Sequence, residues 1–93
     1  MHHYAFCHKY GINMRDEHGR RIGYVVVFPS ANARDMYVYN TEDCAEKITS
    51  KVARWHMIDN ILAHGYEQWY TRGELDAEDT EAIVKMYLNI CEV

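Results

Sequence analysis

A chain of 93 residues, 48% apolar, with one proline and five glycines, has the size and composition of one globular domain spanning 1–93 and leaves little room for long disorder. Its formal charge of −4 disfavours nucleic acid as a direct partner, and no apolar run approaches the roughly 20 residues that span a bilayer. The charge is unevenly divided: residues 1–54 carry eight Lys/Arg against six Asp/Glu, and residues 55–93 carry two against eight, a field that steers partners of opposite sign.

Residues 4–14 alternate, with Tyr4, Phe6, His8, Tyr10, Ile12 and Met14 on one face, which predicts a strand. The polar residues 15–20 predict a tight turn pairing Arg15 with Arg20, and hence Tyr10 with Val25 and His8 with Val27. The unbroken apolar run 24–28 predicts a central strand covered on both faces, stopped by Pro29. Residues 30–35 read as a loop and 36–39 as a short third strand.

Asn40 and Thr41, followed by Glu42 and Asp43, predict a helix start, with the helix running to about His64 before Gly65. Ala45, Ile48, Val52, Trp55, Ile58 and Leu62 would form its apolar stripe, widened by Met57 and Ile61. Residues 66–70 are aromatic and uncommitted, and residues 71–73 read as a break. Asp76, with Asp79 three residues on, then predicts the N-terminus of a last helix, Ala77 to about Cys91, apolar over its second half. The expected fold is α+β: a small antiparallel sheet of two to three strands followed by two helices. The apolar excess at 57–62 and 83–91 predicts a homodimer.

Chemistry-bearing clusters are sparse. His2, His3, Cys7, His8 and His18 are metal-ligand types close in sequence, but on a strand His2 and His8 face one side while His3 and Cys7 face the other, so no metal site is expected. His56 and His64 are two helical turns apart, too far to share an ion. Cys7, Cys44 and Cys91 form no paired spacing and read as free thiols in a reducing cytoplasm. Cys44 would fall in a first helical turn, which could lower a thiol pKa, although a small packed residue is the simpler account. Residues 1–4 show no secretory leader pattern. No catalytic or cofactor motif is present in the sequence, so a non-enzymatic protein without a cofactor is expected, ahead of a metal-binding protein or small enzyme.

Two surfaces remain. Glu74, Asp76, Glu78, Asp79 and Glu81 concentrate the acidic charge just after Trp69 and Tyr70. The acids would steer a basic partner, and the aromatics would anchor it. The alternative is a basic face of Lys47, Lys51 and Arg54, at i, i+4 and i+7 of the expected long helix. In size, acidity, aromatic content and lack of a catalytic motif the whole chain resembles the small accessory proteins of bacteriophages and mobile elements, among them anti-CRISPR inhibitors of host defence. That resemblance implies a non-enzymatic protein that binds and blocks a nucleic-acid-handling complex. A regulatory or structural partner subunit of another intracellular protein is the alternative.

Overall fold

The computed structural model describes residues 2–41 and 44–91. Glu42 and Asp43, expected in a first helical turn, lie outside them, as does the side chain of Cys91. The fold is α+β: the described residues form a three-stranded antiparallel sheet and four α-helices. Its contacts group into two units, within residues 1–53 and within residues 54–93.

The first unit holds β1 (His3–His8), β2 (Gly23–Phe28), α1 (Ala31–Asn40), β3 (Ala45–Ile48) and the start of α2 (Ser50–Ala63). The strand order is β2-β1-β3, so β1 is central and β2 is not. The apolar run of β2 was expected to mark the middle of the ladder. Nor are both its faces covered: of residues 24–28 Val25 alone is buried, Val26, Val27 and Phe28 are half-buried, and Tyr24 is 49% exposed. Tyr4, Phe6 and His8 share one face of β1 as the alternation requires, and all three are buried.

The register differs from expectation by four residues: Phe6 pairs with Val25, Tyr4 with Val27 and His8 with Gly23. β1 stops at His8 because the chain turns at Gly11, whose φ of 103° is open to glycine. A closer pairing, Arg15 with Arg21, then forms farther out, where Asp16 Oδ1 accepts the backbone N–H groups of His18 at 2.8 Å and Arg20 at 2.9 Å. An even slip keeps every side chain on its expected face.

Residues 31–39 were expected as loop and strand and lie in α1. Ser30 caps this helix, its hydroxyl accepting from Ala33 N at 3.1 Å. A four-residue apolar run does not distinguish strand from helix, and here the cap and the alanines decide. Tyr37 brings α1 onto the Cys7 face of the sheet, with its ring 5.1 Å from that of Phe28. Burial first, then hydrogen bonding to Cys7 and Tyr24, pushes the Tyr37 phenol well above its ordinary pKa and keeps it protonated.

The expected long helix is divided. Asn40 and Thr41, expected to start it, are the last residue and the C-cap of α1, and Ala45–Ile48 form β3, which pairs with β1 through Tyr4–Ile48 and Cys7–Ala45. Ala45 and Ile48 are three apart and therefore lie on opposite faces of a strand, yet both are buried, which imitates helical spacing. The helix starts afresh at Thr49, whose hydroxyl accepts from Val52 N at 3.2 Å.

The second unit comprises the rest of α2, a short 3-10 turn (Tyr66–Gln68), α3 (Arg72–Ala77) and α4 (Thr80–Cys91). Met57, Ile58 and Ile61 of α2, Leu75 of α3, and Ile83, Val84 and Tyr87 of α4 are its buried residues. The i, i+1, i+4 spacing on both longer helices is one apolar face each. Among the described residues, no helix is long and apolar enough to cross a membrane.

Candidate partner-binding surface

The acidic segment folds as a corner between two helices. Thr71 caps α3: its hydroxyl accepts from Glu74 N at 3.2 Å, and Glu74 Oε1 accepts from Thr71 N at 3.1 Å. Residues 71–73 were expected as a break and instead begin this helix. The Thr71-x-x-Glu74 capping box outweighs Gly73, which falls in the first turn, where amides lack intrahelical partners anyway.

The expected cap at Asp76 is likewise displaced. Asp76 lies inside α3, Glu78 is its extended C-cap, and Asp79 caps α4 by accepting from Ala82 N at 2.8 Å. Asp79 is three residues before Ala82, so the cap signal was present in the sequence one turn beyond the position assigned to it.

The five acids therefore have two kinds of work. Glu74 and Asp79 are caps, and Glu81 sits in the first turn of α4, where the helix dipole favours an anion. The side chains of Asp76 and Glu78 hold no cap. All five are exposed, and among the described residues no Lys, Arg or His forms an ion pair with Glu74, Asp76, Glu78 or Asp79. Trp69, two residues before the α3 cap, is 75% exposed, and Tyr70 is 38% exposed.

The basic residues of this unit make no ion pair with Asp76 or Glu78, although the Arg54 guanidinium lies at the corner and offsets part of its charge. Arg72 donates to Asp59 Oδ1 at 2.7 Å and lies 5.7 Å from the centre of the Trp55 ring. Arg54 turns its guanidinium onto main-chain oxygens: Nη2 donates to Leu75 O at 3.0 Å, to Asp76 O at 2.9 Å and to Glu78 O, and Nη1 donates to Thr80 Oγ1 at 3.3 Å. Lys85 is exposed on α4.

The alternative basic face is not assembled as expected. Lys47 is on β3, where its Nζ is 3.7 Å from Asp35 Oδ1, Lys51 is in the first turn of α2, and Arg54 is committed to carbonyls. Once β3 separates Lys47 from the helix, the i, i+4, i+7 relation no longer describes a shared face.

Other expected positions are dispersed. Cys7 lies on β1, and Cys44 is exposed immediately ahead of β3, not in the first turn of a long α-helix. His56 rests edge-on to Trp55, with ring centres 4.9 Å apart, and His64 Nδ1 donates to Asn60 O at 2.8 Å. Among the described residues, no three His, Cys, Asp or Glu side chains are grouped to hold a metal ion.

One polar cluster has no sequence signal at all. In the first unit, Glu46 Oε1 accepts from Arg21 Nε at 2.5 Å and from His8 Nε2 at 3.1 Å. Burial acts to raise the Glu46 pKa, but Arg21, through its hydrogen bond and charge, together with His8, outweighs it and holds the carboxyl below its ordinary value. The three residues are 13 to 38 positions apart in the chain, so only the strand pairing brings them together.

No protein-family model matches the chain, and no curated protein or solved structure matches it either.

Proposed function

We propose that this chain is a non-enzymatic protein-binding module whose α3–α4 corner docks on a basic surface of a nucleic-acid-handling protein and blocks it, in the manner of the phage anti-CRISPR inhibitors. The observation that carries this reading is the state of Asp76 and Glu78: two exposed carboxylates with no cationic partner among the described residues and no cap to hold, in a segment that also carries the exposed Trp69. A protein that grips a phosphate backbone presents clustered Lys and Arg, and such a surface attracts a carboxylate-rich corner for the same electrostatic reason. Trp69 supplies the kind of exposed aromatic area that carries affinity once charge has brought the surfaces together.

The encounter belongs to a reducing cytoplasm, in which Cys7 and Cys44 stay thiols. A homodimer remains part of the proposal. Ile83, Val84 and Tyr87, from the stretch expected to be shared between copies, are buried within one chain, while Leu88 keeps 39% of its surface and borders a shallow depression of about 470 Å³ with Lys85, Met86 and Asn89.

Affinity capture from cell lysate tests the reading, with wild-type protein compared against a D76K/E78K variant and added DNA or RNA as competitor. The expected result is a basic nucleic-acid-binding protein retained by the wild type, lost from the variant and displaced by nucleic acid. Capture that survives D76K/E78K but is abolished by K47E/K51E overturns it in favour of the basic side.

A further inference from the structure

The side chain of Arg54 makes four hydrogen bonds, and all of them go to one place. Its Nη2 has two N–H groups but faces three carbonyl oxygens, those of Leu75, Asp76 and Glu78, so at least one N–H is shared between two acceptors. Its Nη1 reaches the hydroxyl of Thr80, the first residue of α4. The acceptors thus span the last turn of α3, its C-cap and the start of α4.

Helix C-termini leave carbonyls without intrahelical donors, and an arginine side chain can take them up. Here the same guanidinium also reaches the next helix, across a corner on which Asp76, Glu78, Asp79 and Glu81 crowd like charges. We infer that Arg54 is the positioning residue of the acidic surface: it fixes the α3–α4 corner, so the carboxylates stand in one arrangement before a partner arrives. The use of this device rests on the acidic-surface reading above; its geometry does not.

A preformed corner and a loose one of equal charge steer a cationic partner about equally. They differ after contact, because a loose corner must be ordered in the complex. R54K keeps the charge and loses the fork, so it acts on dissociation and leaves association nearly unchanged, whereas R54Q also removes a positive charge and speeds association with a cationic partner. Lysine offers a single ammonium in place of a planar fork, so it restores only part of the function.

Amide hydrogen exchange on the full chain and its R54Q and R54K variants tests the inference. The reporters are Glu78 N–H, bonded to Leu75 O, and Ala82 N–H, bonded to Asp79 Oδ1. Both are expected to exchange roughly tenfold or more faster in R54Q, with a smaller change in R54K, while Ile61 and Tyr87 amides stay as in the wild type. Equal acceleration at Ile61 and Tyr87 overturns the inference, since Arg54 would then only hold the unit together. Unchanged exchange at Glu78 and Ala82 overturns it as well.

A second arm uses an oligo-arginine peptide as the cationic probe. Faster dissociation from the charge-matched R54K with unchanged association supports the positioning role, and dissociation at the wild-type rate overturns it. If the peptide fails to bind wild-type protein, the acidic-surface reading falls, and the exchange result still decides the part played by Arg54.

Discussion

Arg21 Nε and Glu46 Oε1 are 2.5 Å apart, and the same oxygen also receives His8 Nε2 at 3.1 Å. One carboxylate therefore ties the central strand, the approach to β2 and β3 together. His8 is buried, and its other ring nitrogen, Nδ1, has no hydrogen-bond partner. Its polar satisfaction rests on Glu46 alone.

Removing that carboxylate should be costly and pH-dependent. Glu46→Ala is expected to lose about 1–3 kcal/mol at pH 7, because a charged hydrogen-bond acceptor disappears and His8 is left buried without a partner. The Glu46 pKa is lowered in the folded protein, so its contribution is complete above the ordinary value of 4.5 and is lost as pH falls through the lower folded value. Urea denaturation should show the gap between mutant and wild type narrowing from pH 7 to pH 3. A gap of constant size would mean that the ionised carboxylate contributes nothing.

Gly23 is the most constrained glycine of the sheet. A Cβ built there would lie 1.9 Å from the carbonyl oxygen of Cys7, and φ is 154°. The obstacle is backbone of the central strand, which cannot step aside without breaking the β1–β2 ladder. Gly23→Ala is expected to destabilise by about 3 kcal/mol or more, visible as a large drop in urea midpoint. A midpoint within error of the wild type would show that the two strands separate there at little cost.

What the sequence reveals depends on how local the cause is. The faces of β1 are legible because alternation is a property of the strand itself, but the face of α2 is not: of the expected stripe Val52, Trp55, Ile58 and Leu62 only Ile58 is buried, and the buried residues of the helix are Ala53, Met57, Ile58 and Ile61. The register is not, since one glycine at position 11 moves the pairing by four residues while leaving the alternation intact. The β3 segment misleads because Ala45 and Ile48 bury on opposite faces of a strand at a spacing that also suits a helix. The acidic residues of the candidate surface are visible as composition, but the division of work among them is not. It follows from the caps at Thr71 and Asp79, and the Arg54 bonds come from a helix 21 to 26 residues away.

The caps themselves give a stability prediction. Thr71→Ala removes one half of a capping box, and Asp79→Ala removes the N-cap acceptor of α4. Each is expected to cost about 1 kcal/mol, with helical content falling slightly in far-ultraviolet circular dichroism. Asp79→Asn keeps the acceptor and should recover most of the loss. If Asn is no better than Ala, the capping bond is not the source of the effect.

That division decides which acids can test function cleanly. Reversal of Glu74 or Asp79 would damage a cap, and any loss of binding would be confounded with a weakened corner. The carboxylates of Asp76 and Glu78 hold no cap and make no ion pair among the described residues. D76K/E78K should therefore unfold within about 0.5 kcal/mol of the wild type, as exposed substitutions do. Against a basic partner the same variant should associate more slowly, and its association rate should depend less on ionic strength, because fewer charges contribute to steering. Trp69→Ala should behave in the opposite way. With 75% of its surface exposed, Trp69 contributes little to folding, so stability and association should hold while dissociation accelerates by the equivalent of about 2 kcal/mol. Stopped-flow association across a salt series, with chase-induced dissociation, separates the two. Equal salt slopes for D76K/E78K and the wild type would place the working surface elsewhere on the molecule.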